Sequence, residues 1–130
     1  MALTLLSAVL LSGCETIGNA KKDQTMNLRL KEYAHEVRWG QLEALSSYLK
    51  PDMVDEQKDV AVDPQNIRVT NYEVLRRVHP GEENQVSQTV RIEYLFRDRQ
   101  VVKTLIDLQL WEYIPDSKDW QRANPIPVFK

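Results

Sequence analysis

Residues 85–96, QVSQTVRIEYLF, alternate: Val86, Val90, Ile92, Tyr94 and Phe96 share one face, Ser87, Thr89, Arg91 and Glu93 the other. A period of two over this length is that of a half-buried strand. Upstream, NIRVTNYEVLRRV (66–78) is rich in β-formers and stops at His79-Pro80-Gly81, a turn signal. Downstream of a tight turn at Asp98-Arg99, VVKTLIDLQLWEYI (101–114) reads as a long strand. Val102, Ile106, Leu108, Leu110 and Ile114 fall on one of its faces; Val101, Lys103, Leu105, Asp107, Gln109, Trp111 and Tyr113 fall on the other. After the turn Pro115–Lys118, a short last strand is expected around DWQRA (119–123). Consecutive strands joined by short loops form an antiparallel meander.

Ahead of the strands the period is helical. Leu30, Tyr33, Ala34, Val37 and Gln41 recur at i, i+3, i+4, i+7 and i+11, with Leu28 flanking, which marks one apolar helix face. Thr25 or Asn27 is the candidate cap. The run breaks at Gly40, resumes with Leu42, Leu45, Tyr48 and Leu49, and ends at Lys50-Pro51, because a residue before proline avoids the helical region. Two helices are expected, 26–39 and 41–50, joined at Gly40. Residues 51–66, PDMVDEQKDVAVDPQN, are acidic, but their spacing lacks the alternate ligands and central glycine of a calcium loop; they read as a solvated connection. Helices followed by an antiparallel meander make an α+β fold, with the N-terminal helices packed on one face of a curved sheet.

The chain has 130 residues, 42% hydrophobic and 28% charged, the size and composition of one folded domain. Seventeen basic against nineteen acidic residues leave a net charge of −2, which argues against nucleic acid as a partner. The single cysteine, Cys14, excludes an intramolecular disulfide framework.

Residues 1–13, MALTLLSAVLLSG, carry no charge, and their apolar part, Ala2 to Leu11, is ten residues. That is too short for a bilayer, which needs about 20 apolar residues, and matches the apolar core of a signal peptide. Leu11-Ser12-Gly13-Cys14 resembles the lipobox of bacterial lipoproteins: an aliphatic residue, two small residues, then the cysteine that is acylated. The resemblance implies a signal peptide over 1–13 and a lipid on Cys14. Anchoring by two or more acyl chains is stable, at about 0.8 kcal/mol per buried CH₂. Glu15, not Asp, follows the cysteine, which by the enterobacterial pattern favours the periplasmic face of the outer membrane over inner-membrane retention. Residues 14–24 have no apolar period and read as a lipidated tether, leaving 25–130 as one α+β domain.

The helical stretch LKEYAHEVRWGQLEALSSYLKPDM (30–53) and the ending LQLWEYIPDSKDWQRA (108–123) resemble the nuclear-transport-factor-two-like superfamily. In that cone-shaped α+β fold a first helix ends at a glycine joint, a second near a proline, and a tryptophan opens the last strand. Gly40, Pro51 and Trp120 occupy those places, and the likeness covers residues 25–123. A cystatin-like fold, with one helix on a similar sheet, is the alternative.

Some relatives of the cone fold are isomerases or dehydratases with a pocket base, so three readings are open. The first is a non-catalytic envelope lipoprotein, without cofactor or metal, that binds another envelope protein or a small apolar ligand. The second is a lipid-anchored isomerase or hydrolase with Asp107 as its base, near Tyr72 or Tyr113. The third is a structural subunit of a membrane complex. Asp107 interrupts an apolar strand; buried, it has the makings of a base, whereas beside solvent or an Arg or Lys of the adjacent strand it is structural. Trp111 and Tyr113 are either core or the lining of a pocket or partner surface. Glu32, His35 and Glu36 share a helical turn, but a carboxylate–histidine metal site needs matching ligands from other helices.

Overall fold

The computed structural model describes residues 13–79 and 84–130, those of 13–17 and 19 by backbone alone. The signal segment 1–13 therefore falls outside the described residues up to its last position, and so does the side chain of Cys14. The order is α1 (Gly13–Trp39), a 3₁₀ helix (Leu42–Tyr48), α2 (Pro51–Val54), a 3₁₀ turn (Pro64–Asn66), β1 (Ile67–Val78), β2 (Gln85–Phe96), β3 (Val102–Ile114) and β4 (Asp119–Arg122). The four strands form an antiparallel meander in the order β1-β2-β3-β4, a curved and unclosed sheet with the helices on one face. The expected α+β class and all four strands are present.

α1 faces the sheet with Met26, Leu30, Tyr33 and Val37, each buried, at the 4-3-4 spacing that keeps residues on one helix face. It stops at Gly40, whose N–H donates to the Glu36 carbonyl at 2.9 Å. A Cβ at Gly40 would run into the Glu36 side chain and come within 3.0 Å of the Glu36 carbonyl oxygen. The following segment departs from expectation: it is a 3₁₀ helix, not an α-helix. Its inward residues explain why, since Leu42, Leu45 and Tyr48 recur every three residues, the 3₁₀ repeat. The Ser46 and Ser47 hydroxyls reinforce it by donating to the carbonyls of Glu43 (3.2 Å) and Ala44 (2.7 Å).

A second departure lies upstream. Residues 15–24, expected as an irregular tether, belong to α1. They carry no apolar period, and the contacts that tie this part of the helix to the rest of the fold are polar and lie at Lys22. The Lys22 carbonyl accepts from Trp120 Nε1 at 3.1 Å, and Lys22 Nζ donates to Asn84 Oδ1 at 2.9 Å while lying 4.9 Å above the Tyr113 ring.

The core lies between the inner sheet face and the helices. Val86, Val90, Ile92 and Tyr94 of β2 point into it together with Gln88. Tyr33 meets the Tyr48 and Trp111 rings edge-on at 5.2 Å each. The tail after β4 crosses this inner side: the Ile126 N–H donates to Gln57 Oε1 and the Phe129 N–H to the Val60 carbonyl, both at 2.7 Å, and Phe129 packs on Tyr94 at 5.0 Å.

Candidate functional site

The decisive arrangement is on β3. The face it turns to the core is the mixed one: Asp107, Gln109 and Trp111 are 2%, 1% and 0% exposed. The apolar face looks outward, with Val102, Ile106 and Leu108 at 65%, 53% and 66%. The polar residues are buried because they satisfy one another across the sheet.

Register explains how they meet. The turn Pro115–Lys118 pairs Ile114 with Asp119, so Arg122 of β4 lies opposite Trp111 on the inner face. Arg122 is fully buried. Its Nη2 donates to Asp107 Oδ1 at 2.6 Å and its Nη1 to Asp107 Oδ2 at 2.9 Å, a bidentate ion pair. Nη1 also donates to the Tyr33 hydroxyl at 2.9 Å and Nη2 to the Pro125 carbonyl at 2.9 Å. Nε donates to Asn124 at 3.1 Å. All five guanidinium donors are thereby used, and the same residue ties α1, β3 and the C-terminal tail together.

The network continues along the strands. Gln109 Nε2 donates to Asp107 Oδ2 (2.8 Å) and to the Tyr72 hydroxyl (3.0 Å). Gln109 Oε1 accepts from Gln88 Nε2 (2.8 Å) and Trp111 Nε1 (3.0 Å). Arg77 Nε donates to Gln88 Oε1 at 3.2 Å, and Arg77 Nη1 to Asn27 Oδ1 at 3.1 Å. Side chains from all four strands are thus joined, and both ends of the chain of contacts return to α1. Burial without these partners would cost several kcal/mol per ion; fully satisfied, such a network specifies one arrangement of the core.

The electrostatics are those of a locked structure. Burial pushes the Tyr33 hydroxyl well above the ordinary tyrosine value, only partly offset by the Arg122 charge. Burial likewise raises Tyr72 to about 12, against the lowering effect of the Gln109 hydrogen bond. For Arg122, burial works against the charge, but Tyr33 and Asp107 outweigh it and hold the guanidinium protonated. A general acid or base works best when it titrates near the operating pH, and neither tyrosine does.

The residues singled out from sequence therefore divide. Asp107 pairs with an arginine of the adjacent strand and is buried rather than turned to solvent; Trp111 is interior, not a docking surface. Tyr72 joins the network from β1 and is only half-buried, at the edge of a cavity of about 250 Å³ with His35, Arg38 and Trp39. Tyr113 is half-buried beneath Lys22, its ring 5.5 Å from Trp120. Asp107 and Trp111 line neither this cavity nor a larger one of about 550 Å³ at the other end of the sheet, where Phe96 and Phe129 form an apolar floor beside Arg99 and Lys103. Among the described residues no three His, Cys, Asp or Glu side chains gather as metal ligands, and Glu32 pairs with Arg29 at 3.5 Å. Among them, too, no helix is long and apolar enough to cross a membrane.

Sequence reading did not single out Arg122, the partner of Asp107, nor Gln88 and Tyr33, which join the network through Gln109 and Arg122. A signal for Arg122 was present: alternation puts it on the same face as Trp120, and the four-residue turn fixes it opposite Trp111. No family model, no curated protein and no solved structure matches this chain.

Proposed function

We propose that the chain is a non-catalytic, lipid-anchored module of the bacterial envelope. In this reading acylated Cys14 holds it at the periplasmic face of the outer membrane, where it engages another envelope protein or a small apolar ligand. The observation that carries the non-catalytic part is the state of Asp107. Both carboxylate oxygens are taken by Arg122, one also by Gln109, with 2% exposure. A base needs reach to a substrate proton, and this carboxylate has none, which disfavours the isomerase or hydrolase reading. The cavity floored by Phe96 and Phe129, its lining half apolar and half polar or charged, is the concave site available to a small apolar ligand. The anchor rests on Leu11-Ser12-Gly13-Cys14, and the family likeness on the order of helices and strands.

Metabolic labelling with a palmitate analogue, on wild type and Cys14→Ala, tests the anchor. The expected result is label on the wild type alone, with the mutant released from the membrane fraction. Equal label and unchanged fractionation would remove the anchor from the account.

A further inference from the structure

The two open edges of the sheet are built differently. β1 carries register shifts at Val69/Asn71 and Val74/Arg76 and exposes Arg68, Glu73, Arg76 and Arg77. Bulges and charges are the devices by which an edge strand is protected from pairing. β3 has no bulge over its free part and a single charge there, Lys103. It is covered by β4 only from Trp111 to Ile114. Ala123 and the Asn124 side chain then occupy the backbone groups of Leu110 and the Leu108 carbonyl. By the same alternation Val102, Thr104 and Ile106 aim their N–H and C=O groups away from β2. Among the described residues nothing pairs with them.

This segment contains no proline and keeps an unbroken register with β2. Its outward side chains, Val102, Thr104 and Ile106, are β-branched and exposed, the type that pairs best across strands. Its one charge, Lys103, is drawn over the Phe96 ring at 5.3 Å.

We propose that this edge pairs with the same edge of a second copy, β3 against β3, to make one continuous eight-stranded sheet about a two-fold axis at Thr104. The unoccupied residues set the register. Antiparallel pairing of Val102, Thr104 and Ile106 places Val102 opposite the mate's Ile106, and Thr104 opposite itself. On the inner side Lys103 falls opposite the mate's Leu105, so no like charges face each other. The sequence of the edge is thus self-complementary in the way a two-fold interface requires. Ile106 and Leu108 of each copy then extend one apolar strip across the join. This inference does not depend on the anchor at Cys14.

Sedimentation of the full chain in detergent, with and without Thr104→Pro, tests it. The Thr104 N–H points to the free edge, so proline there removes a pairing donor and no internal ladder bond. Wild type should be a dimer, and T104P should lose roughly tenfold or more in association constant with its thermal midpoint unchanged when both are monomeric. A second measurement is oxidation of Thr104→Cys. Self-opposed residues lie about 5.5 Å apart at Cα, within the range of a disulfide. T104C should therefore form covalent dimers well beyond the wild-type background from Cys14, while Asn71→Cys on the protected edge should not. A monomeric wild type at every concentration, a T104P protein that still dimerises, equal cross-linking at both edges, or capture of an unrelated strand peptide in place of a second copy would each overturn the proposal.

Discussion

On its inner face β3 presents Asp107, Gln109 and Trp111 to the core; on its outer face it presents Val102, Ile106 and Leu108 to solvent. Most half-buried strands do the opposite with their polar and apolar residues. The difference shows what decides which way a strand turns. Exposing Val102, Ile106 and Leu108 forgoes about 1.5–3 kcal/mol of burial for each large side chain. The inner set is retained because Arg122 closes it: a paired, fully hydrogen-bonded polar cluster adds specificity where an unpaired one would be ruinous.

If the inner face is held by the ion pair, removing one partner should have the largest effect of any single change. Arg122→Ala should cost about 3–5 kcal/mol, seen as a fall of the thermal midpoint by roughly 10–20 °C. A loss under about 1.4 kcal/mol, less than tenfold in the unfolding constant, would mean that the pair does not hold the inner face. Tyr33→Phe removes one acceptor from a charged donor and should cost about 1.5–3 kcal/mol, measurable by urea denaturation. The outer face should respond much less. Leu108→Thr should change monomer stability by no more than about 0.5 kcal/mol, because Leu108 is 66% exposed. A large loss there would mean that the outer strip is packed within the monomer. Smaller still is a backbone effect at the hairpin turns. Lys118 holds a φ of 52°, a conformation glycine adopts without strain, so Lys118→Gly should raise stability by a few tenths of a kcal/mol.

Sequence reading reached the strands more surely than their faces. The period of two in 85–96 and 101–114 marks β2 and β3 to within a residue, and Gly40 marks the end of α1. The start of α1 was not legible, because its N-terminal part carries no apolar stripe and meets the rest of the fold at Lys22, by polar contacts to Trp120 and Asn84. The change from α to 3₁₀ at Leu42 was written in the three-residue spacing of Leu42, Leu45 and Tyr48, a signal easily absorbed into a helical period of 3.6. At the candidate site, Asp107 stood out as a charge within an apolar strand. Its partner lies fifteen residues on, across a hairpin, and pairing at that range is decided by register, which periodicity alone does not supply.

The central claim is that Asp107 serves structure through Arg122 and not chemistry. A double-mutant cycle on Asp107→Leu and Arg122→Met, read by urea unfolding, tests it most directly. Each single change should cost about 3–5 kcal/mol, and the double mutant should lie within about 2 kcal/mol of wild type, since a buried ion pair is readily replaced by apolar residues but not readily halved. If Asp107→Leu alone left stability unchanged or raised it, as removal of a strained functional group commonly does, the carboxylate would not be a structural partner and the account would be wrong.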